Sequence, residues 1–89
     1  MADTTAVFAI SVAAERADLR IQNLRVYERR GLLEPARTAG GTRIYSEADI
    51  VVLRRIGELL AEGLNLAGIR RVLTLEAEVV RLRQVLAGE

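Results

Sequence analysis

The chain has 89 residues, 51% of them apolar and 28% charged, with a formal net charge of +1 at pH 7. That length gives one small domain, and with aromatics at 3% its core is expected to be aliphatic helix packing rather than a ring-lined small-molecule pocket. Cysteine, histidine and lysine are all absent, which excludes disulfides, thiolate and imidazole metal sites and the usual general bases, so no enzyme activity, cofactor or metal is expected.

Residues 1–9 read as a flexible N-terminal tail, because Asp3-Thr4-Thr5 is polar and nothing caps or pairs it. Apolar runs such as Ala6 to Ile10 fall far short of the ~18 residues of a spanning helix. The residues before that run include Asp3 and no basic residue, so it does not read as a signal peptide, and a cytoplasmic, nucleoid-associated protein without membrane contact is expected. Ser11 is a good N-cap for a short helix through Ala17, after which Asp18-Leu19-Arg20 reads as a tight turn.

A second helix is expected from about Ile21 to Arg30, closed by Gly31 in the left-handed conformation. Two short helices joined by a turn make a helix-turn-helix. On a helical wheel Ile21 and Leu24 share one side, whereas Gln22, Asn23, Val26, Arg29 and Arg30 occupy an exposed arc.

Pro35 follows the helix end, and segments 36–38 and 43–45 flank Ala39-Gly40-Gly41-Thr42, the signature of a glycine-turned hairpin that would form a wing. Arg43 and Tyr45 sit two apart on the returning strand, so their side chains share a face that is expected to lie on a DNA backbone. Ser46-Glu47-Ala48-Asp49 then has the form of a capping box, with Asp in place of the usual Glu, ahead of the amphipathic run Ile50, Leu53, Ile56, Leu59 and Leu60. This third helix stops near Gly63.

Asn65 can cap a last helix that reaches about Leu86. Within it Val72, Leu75, Val79, Leu82 and Leu86 recur at spacings of three and four, the a/d seam of a coiled-coil homodimer. Leu66, Ile69, Leu73 and Val80 form a second stripe that would pack on the domain. The expected fold is mostly α: a winged helix-turn-helix with a short two-stranded hairpin over residues 10–64, then a C-terminal coiled-coil dimerisation helix over residues 65–89.

Residues 16–45 hold seven arginines against Asp18, Glu28 and Glu34, so positive charge gathers where the second helix and the hairpin stand. Guanidinium groups on a helix and on an adjacent ribbon suit double-stranded DNA, because the helix can enter the major groove while the ribbon reaches the flanking backbone. Arg20, Gln22 and Asn23 are the base-reading candidates, since Arg can fork onto guanine and the amides onto adenine. Arg25 is a further DNA candidate whose alternative is an i,i+3 pair with Glu28, and Arg37 a third wing candidate whose alternative is a solvated edge charge. Tyr27 can pack against Leu32, as the C3 and C″ positions of a Schellman end do, while its hydroxyl points out. Arg54, Arg55, Arg70, Arg71, Arg81 and Arg83 read as solubility and helix-pairing residues for Glu58, Glu76 and Glu78.

Over about residues 10–86 the chain resembles the MerR family of bacterial transcription regulators. Leu24-Arg25-Val26-Tyr27-Glu28 is similar to the family's recognition-helix signature and Gly31-Leu32-Leu33-Glu34-Pro35 to its helix exit. Gly41-Thr42-Arg43-Ile44-Tyr45-Ser46 is similar to its wing return and Gly63-Leu64-Asn65-Leu66 to its turn into the later helices. The resemblance implies a dimer joined by an antiparallel coiled coil and bound to an inverted repeat at a promoter, with Arg25 on DNA and the Tyr27 hydroxyl on a phosphate. Asn65 to Leu73 and Ile10 to Ala14 are similar to the heat-shock repressor branch, which implies repression of chaperone genes in a stress response, with an Hsp70-type chaperone as co-repressor.

The chain departs from the family pattern at three places: Val26 replaces the first of two aromatics, Arg20 stands where a hydroxyl or small residue often starts the recognition helix, and Thr42 replaces a wing aromatic. No segment follows Glu89 to build a ligand pocket, so a drug-sensing effector domain is not expected, and metal sensing lacks its cysteines. Two other readings fit part of the pattern. One is a small DNA-bending, excisionase-like recombination factor, and the other a helical protein–protein interaction module whose basic face is incidental.

Overall fold

A computed structural model of the chain describes residues 6–88. In chain order its elements are β1 (Val7–Phe8), α1 (Ile10–Ala17), α2 (Ile21–Arg29), β2 (Ala36–Arg37), β3 (Arg43–Ser46), α3 (Glu47–Ala61) and α4 (Leu66–Ala87). The architecture is the expected mostly helical winged helix-turn-helix followed by a long helix, with one strand more than the sequence pattern indicated.

That strand corrects the reading of residues 1–9 as a tail. Val7 and Phe8 pair antiparallel with Ser46 and Tyr45, so β3 is the central strand of a three-stranded sheet ordered β1-β3-β2. Phe8 is held because its ring packs against the core and lies under the Arg16 guanidinium, 4.4 Å from the ring centroid. The rest of the expected tail, residues 1–5, lies outside the described residues. The strand also moves the start of α1: the N-cap is Ala9, in extended conformation with no side-chain cap, and Ser11 stands inside the first turn. Chain arriving from β1 is already extended at Ala9, so the helix begins there.

Ala13, Ala14 and Ala17 form the buried face of α1, and their small side chains let α1 approach α2 and α3 closely. Asp18 ends the helix at φ 58, ψ 46, a left-handed position that its short polar side chain tolerates better than most. α2 ends in a Schellman motif. Gly31, at φ 77, donates its N–H to the Glu28 carbonyl at 3.0 Å, and Leu32 donates to the Tyr27 carbonyl at 2.9 Å. Tyr27 and Leu32 are both buried in the core, the apolar pairing such an end favours.

β2 and β3 pair Ala36 with Ile44 and Arg37 with Arg43, and Gly41, at φ 89, turns the hairpin. α3 opens with a complete capping box: Ser46 Oγ accepts from the Asp49 N–H at 3.0 Å, and Asp49 Oδ2 accepts from the Ser46 N–H at 2.9 Å. Ile50, Leu53, Ile56 and Leu59 are buried, whereas Leu60, expected in the same stripe, is exposed at its edge. Asn65 Oδ1 caps α4 by accepting from the Gly68 N–H at 2.8 Å.

Only the start of α4 packs on the domain. Ile69 is buried and Leu66, Val72 and Leu73 lie partly buried against the core, but Val80, the last member of the expected domain stripe, is exposed. The remainder of the helix projects away. The radius of gyration is 14.4 Å, above the roughly 12 Å of a compact chain of this length.

Candidate nucleic-acid interface

The side chains predicted to meet DNA come from α2 and the β2–β3 hairpin. Arg20 is the N-cap of α2, exposed and extended at φ −86, ψ 145, and its carbonyl receives the Asn23 N–H at 3.0 Å. Gln22 is exposed and Asn23 half-buried one turn into the helix. Arg25 is exposed, and among the described residues it takes part in none of the ion pairs, so the alternative of a pair with Glu28 is not realised.

Glu28 has other partners. Its carboxylate accepts the Arg43 Nε–H from β3 and stands 3.6 Å from Arg37 Nη2 on β2, and its side chain is only 19% exposed. Arg37 Nη1 also donates to the Gly41 carbonyl at 3.0 Å, tying the strand to the hairpin tip. Glu28 thus joins the helix to both strands of the wing. Sequence reading missed this role, because the i,i+3 spacing to Arg25 is visible locally while the meeting of Glu28 with residues 9 and 15 positions later depends on how the hairpin folds back.

Tyr45 is corrected more sharply. Tyr45 is 0% exposed, so it offers no surface to a DNA backbone in this fold. Tyr45 does alternate to the same face of β3 as Arg43, but that face turns inward onto the core; Arg43 reaches out along Glu28 to keep its guanidinium partly in solvent. Tyr45 Oη is the one buried side-chain polar atom without a hydrogen-bond partner among the described residues. Burial, and then the Glu28 carboxylate, push its phenol above the ordinary value, with Arg43 and Arg25 acting in the opposite direction. Tyr27 is 4% exposed and its phenol is likewise raised by burial, so its ring belongs to the core and little of it faces out.

What remains on the surface is guanidinium and amide. Arg20, Gln22 and Arg25 on α2 and Arg37 on β2 are exposed, and Arg43 is partly so, with Arg29 and Arg30 at the helix end. Such an array can hold a polyanion. Among the described residues no cluster of three or more His, Cys, Asp or Glu could hold a metal ion, and no helix is long and apolar enough to cross a membrane.

The predicted dimer seam is exposed along most of its length. Leu75 and Leu86 are 64% and 70% exposed, Val79 and Leu82 are exposed between them, and Val80 and Val85 widen the patch. Val72 is the exception, half-buried against the domain at the root of the seam.

Comparison with known proteins agrees with this geometry. Residues 8–76 match the model of the MerR HTH family regulatory proteins. The chain is 48% identical over 84 residues to a putative heat shock protein HspR of Streptomyces coelicolor, covering 93% of this chain and 56% of that protein. It is 35% identical over 81 residues to the HTH-type transcriptional regulator GlnR of Bacillus cereus, covering 88% of this chain and 63% of that one. The chain therefore spans less than two thirds of the length of either relative. Among solved structures, a MerR family transcriptional regulator from Bacillus cereus superposes with a TM-score of 0.72 at 27% identity, over 92% of this chain and 76% of that one.

Proposed function

The chain belongs to the MerR family of helix-turn-helix regulatory proteins, and from that membership we propose that it binds duplex DNA sequence-specifically, as a homodimer on an inverted repeat, and represses transcription. The observation that carries this reading is the ionic joint at Glu28, which ties the hairpin guanidinium groups of Arg37 and Arg43 to the helix on which Arg25 stands exposed. α2 would enter the major groove with Arg20, Gln22 and Asn23 toward base edges and Arg25 toward the backbone, while Arg37 and Arg43 grip the flanking phosphates. Tyr45 is no part of this contact set, and Tyr27 serves it mainly from beneath, by fixing the end of α2.

The exposed seam on α4, Leu75, Val79, Leu82 and Leu86, is assigned to a second copy of the chain. Two joined domains would then reach half-sites on successive major-groove faces of one side of the duplex. The 48% identity to a protein described as putative heat shock protein HspR supports heat-shock genes as targets in a stress response; an Hsp70-type chaperone as co-repressor and a cytoplasmic, nucleoid-associated location are further parts of the proposal, carried over from the resemblance to the heat-shock repressor branch.

Enrichment of duplexes from a random pool by the purified chain tests the reading. The expected product is an inverted repeat whose binding constant falls steeply with salt, and each of Arg25→Ala and Arg43→Ala, which removes one contact from each protomer of the dimer, should reduce the slope of that dependence by about 2. A pool that stays random, or variants that bind the enriched repeat like the parent chain, would overturn it.

A further inference from the structure

Arg37 and Arg43 face each other across the β2–β3 ladder, a register that brings two like charges together unless something separates them. The Glu28 carboxylate supplies the separation. It reaches from the last turn of α2, accepts from Arg43 and stands 3.6 Å from Arg37, and it is largely withdrawn from solvent. Among the described residues, every hydrogen bond or ion pair between α2 and the hairpin runs through this one side chain. The hairpin's own bonds, Thr38 N–H to the Thr42 carbonyl at 2.8 Å and Arg37 to the Gly41 carbonyl, hold its shape but do not fix its direction relative to the helix.

We infer that Glu28 is a positioning residue that sets the angle between recognition helix and wing, and thereby discrimination between DNA sequences rather than affinity for DNA as such. The inference rests on the DNA-binding reading above. A carboxylate beside a polyanion repels it, so a Glu28 that did nothing but sit there would weaken binding to every duplex alike. A Glu28 that orients two guanidinium groups acts differently. It costs affinity on any duplex through repulsion, but recovers more on the correct one, where base contacts from α2 and phosphate contacts from the wing must be made together.

The test compares the parent chain with Glu28→Gln on two probes, the duplex enriched from a random pool by the parent chain and the same base composition in scrambled order. Glu28→Gln is expected to bind the scrambled duplex as well as or better than the parent, and the enriched duplex less well, lowering the ratio of the two affinities by about tenfold, the scale of a lost charge-assisted hydrogen bond. An unchanged ratio, or an equal rise on both probes, overturns the proposal. Circular dichroism reports whether the variant folds. Should it not, Glu28→Asp keeps the charge but shortens the reach by one methylene, and is expected to lower the same ratio; a parent-like ratio there overturns the proposal too. A parent chain that selects no duplex at all would instead sink the DNA-binding reading, so the two failures are distinguishable.

Discussion

The Arg55 guanidinium on α3 donates to the Glu76 carboxylate on α4 from Nε and Nη2, at 3.1 and 2.7 Å, and from Nη1 to Glu58 at 2.9 Å. Beyond Glu76 every described residue of α4 is exposed, and among the described residues this is the last hydrogen-bonded tie between the domain and the projecting helix.

Glu76→Gln is therefore expected to free the direction of α4 without unfolding anything. Partly exposed ion pairs contribute little to stability, so the thermal midpoint should barely move and affinity for the best duplex should change by roughly fivefold or less. The effect should appear in spacing: the parent chain would lose affinity when two half-sites are moved closer or further apart, and the variant would tolerate the change. Binding to a series of duplexes with altered spacers measures this, and an identical spacing profile would contradict the assigned role.

Two residues on α4 separate association from folding. Leu82 is exposed in the single chain, so Leu82→Glu should leave the helical content intact while shifting a dimer to monomer in sedimentation. Loss of the second DNA-binding domain should then weaken binding to an inverted repeat by about 100-fold. Ile69 is fully buried, and Ile69→Ala should cost about 2–5 kcal/mol of folding stability. Thermal melts and sedimentation on both variants would show opposite profiles, and a Leu82→Glu chain that remains dimeric would refute the seam.

Tyr45 gives a third expectation, with a pH signature. Its buried hydroxyl has no partner, a situation that costs about 1–3 kcal/mol, so Tyr45→Phe should leave the thermal midpoint unchanged or raise it, and leave DNA affinity unchanged. Both tyrosine phenols are raised above 10.0 by burial, which means the fold favours their neutral form. That stabilisation is fully present below pH 10 and is lost as pH rises through the folded-state values. Because cysteine, histidine and lysine are absent, stability should be nearly flat from about pH 6 to pH 9, with the tyrosine contribution lost above that and the contribution of Glu78, whose carboxyl Arg81 holds below its ordinary value, lost only in acid. Alkaline melts of the parent and of a Tyr27→Phe/Tyr45→Phe chain measure it; equal alkaline losses in the two would contradict the assignment.

Features governed by neighbours in the chain were legible in the sequence. The capping box at Ser46 and Asp49, the Asn65 cap, the left-handed Gly31 and the Schellman pairing of Tyr27 with Leu32 all follow from residues within five positions of one another. The i,i+3 pairs of Arg55 with Glu58 and of Arg81 with Glu78 likewise appear as helix-pairing charge. What the sequence concealed is long-range. Whether Tyr45 faces solvent depends on which side of β3 meets the helices, and alternation alone says only that it sides with Arg43. β1 is two residues long and has no period to detect; it exists because β3 offers it an edge. Locally Glu28 offers only an alternative partner for Arg25, and its pairing with Arg37 and Arg43 depends on the hairpin folding back.

The stitching of Val7 and Phe8 to β3 bears on how the molecule is handled at the bench. Trimming the chain to begin at Ile10, the natural cut for anyone guided by the helices, would unzip one side of the strand that carries Arg43 and leave the backbone beside Tyr45 and Ser46 unpaired. A purification handle fused immediately before Val7 would emerge at the foot of the wing. Shortened or tagged versions made in ignorance of that seam would report the injury to the hairpin as if it were the native grip on the operator.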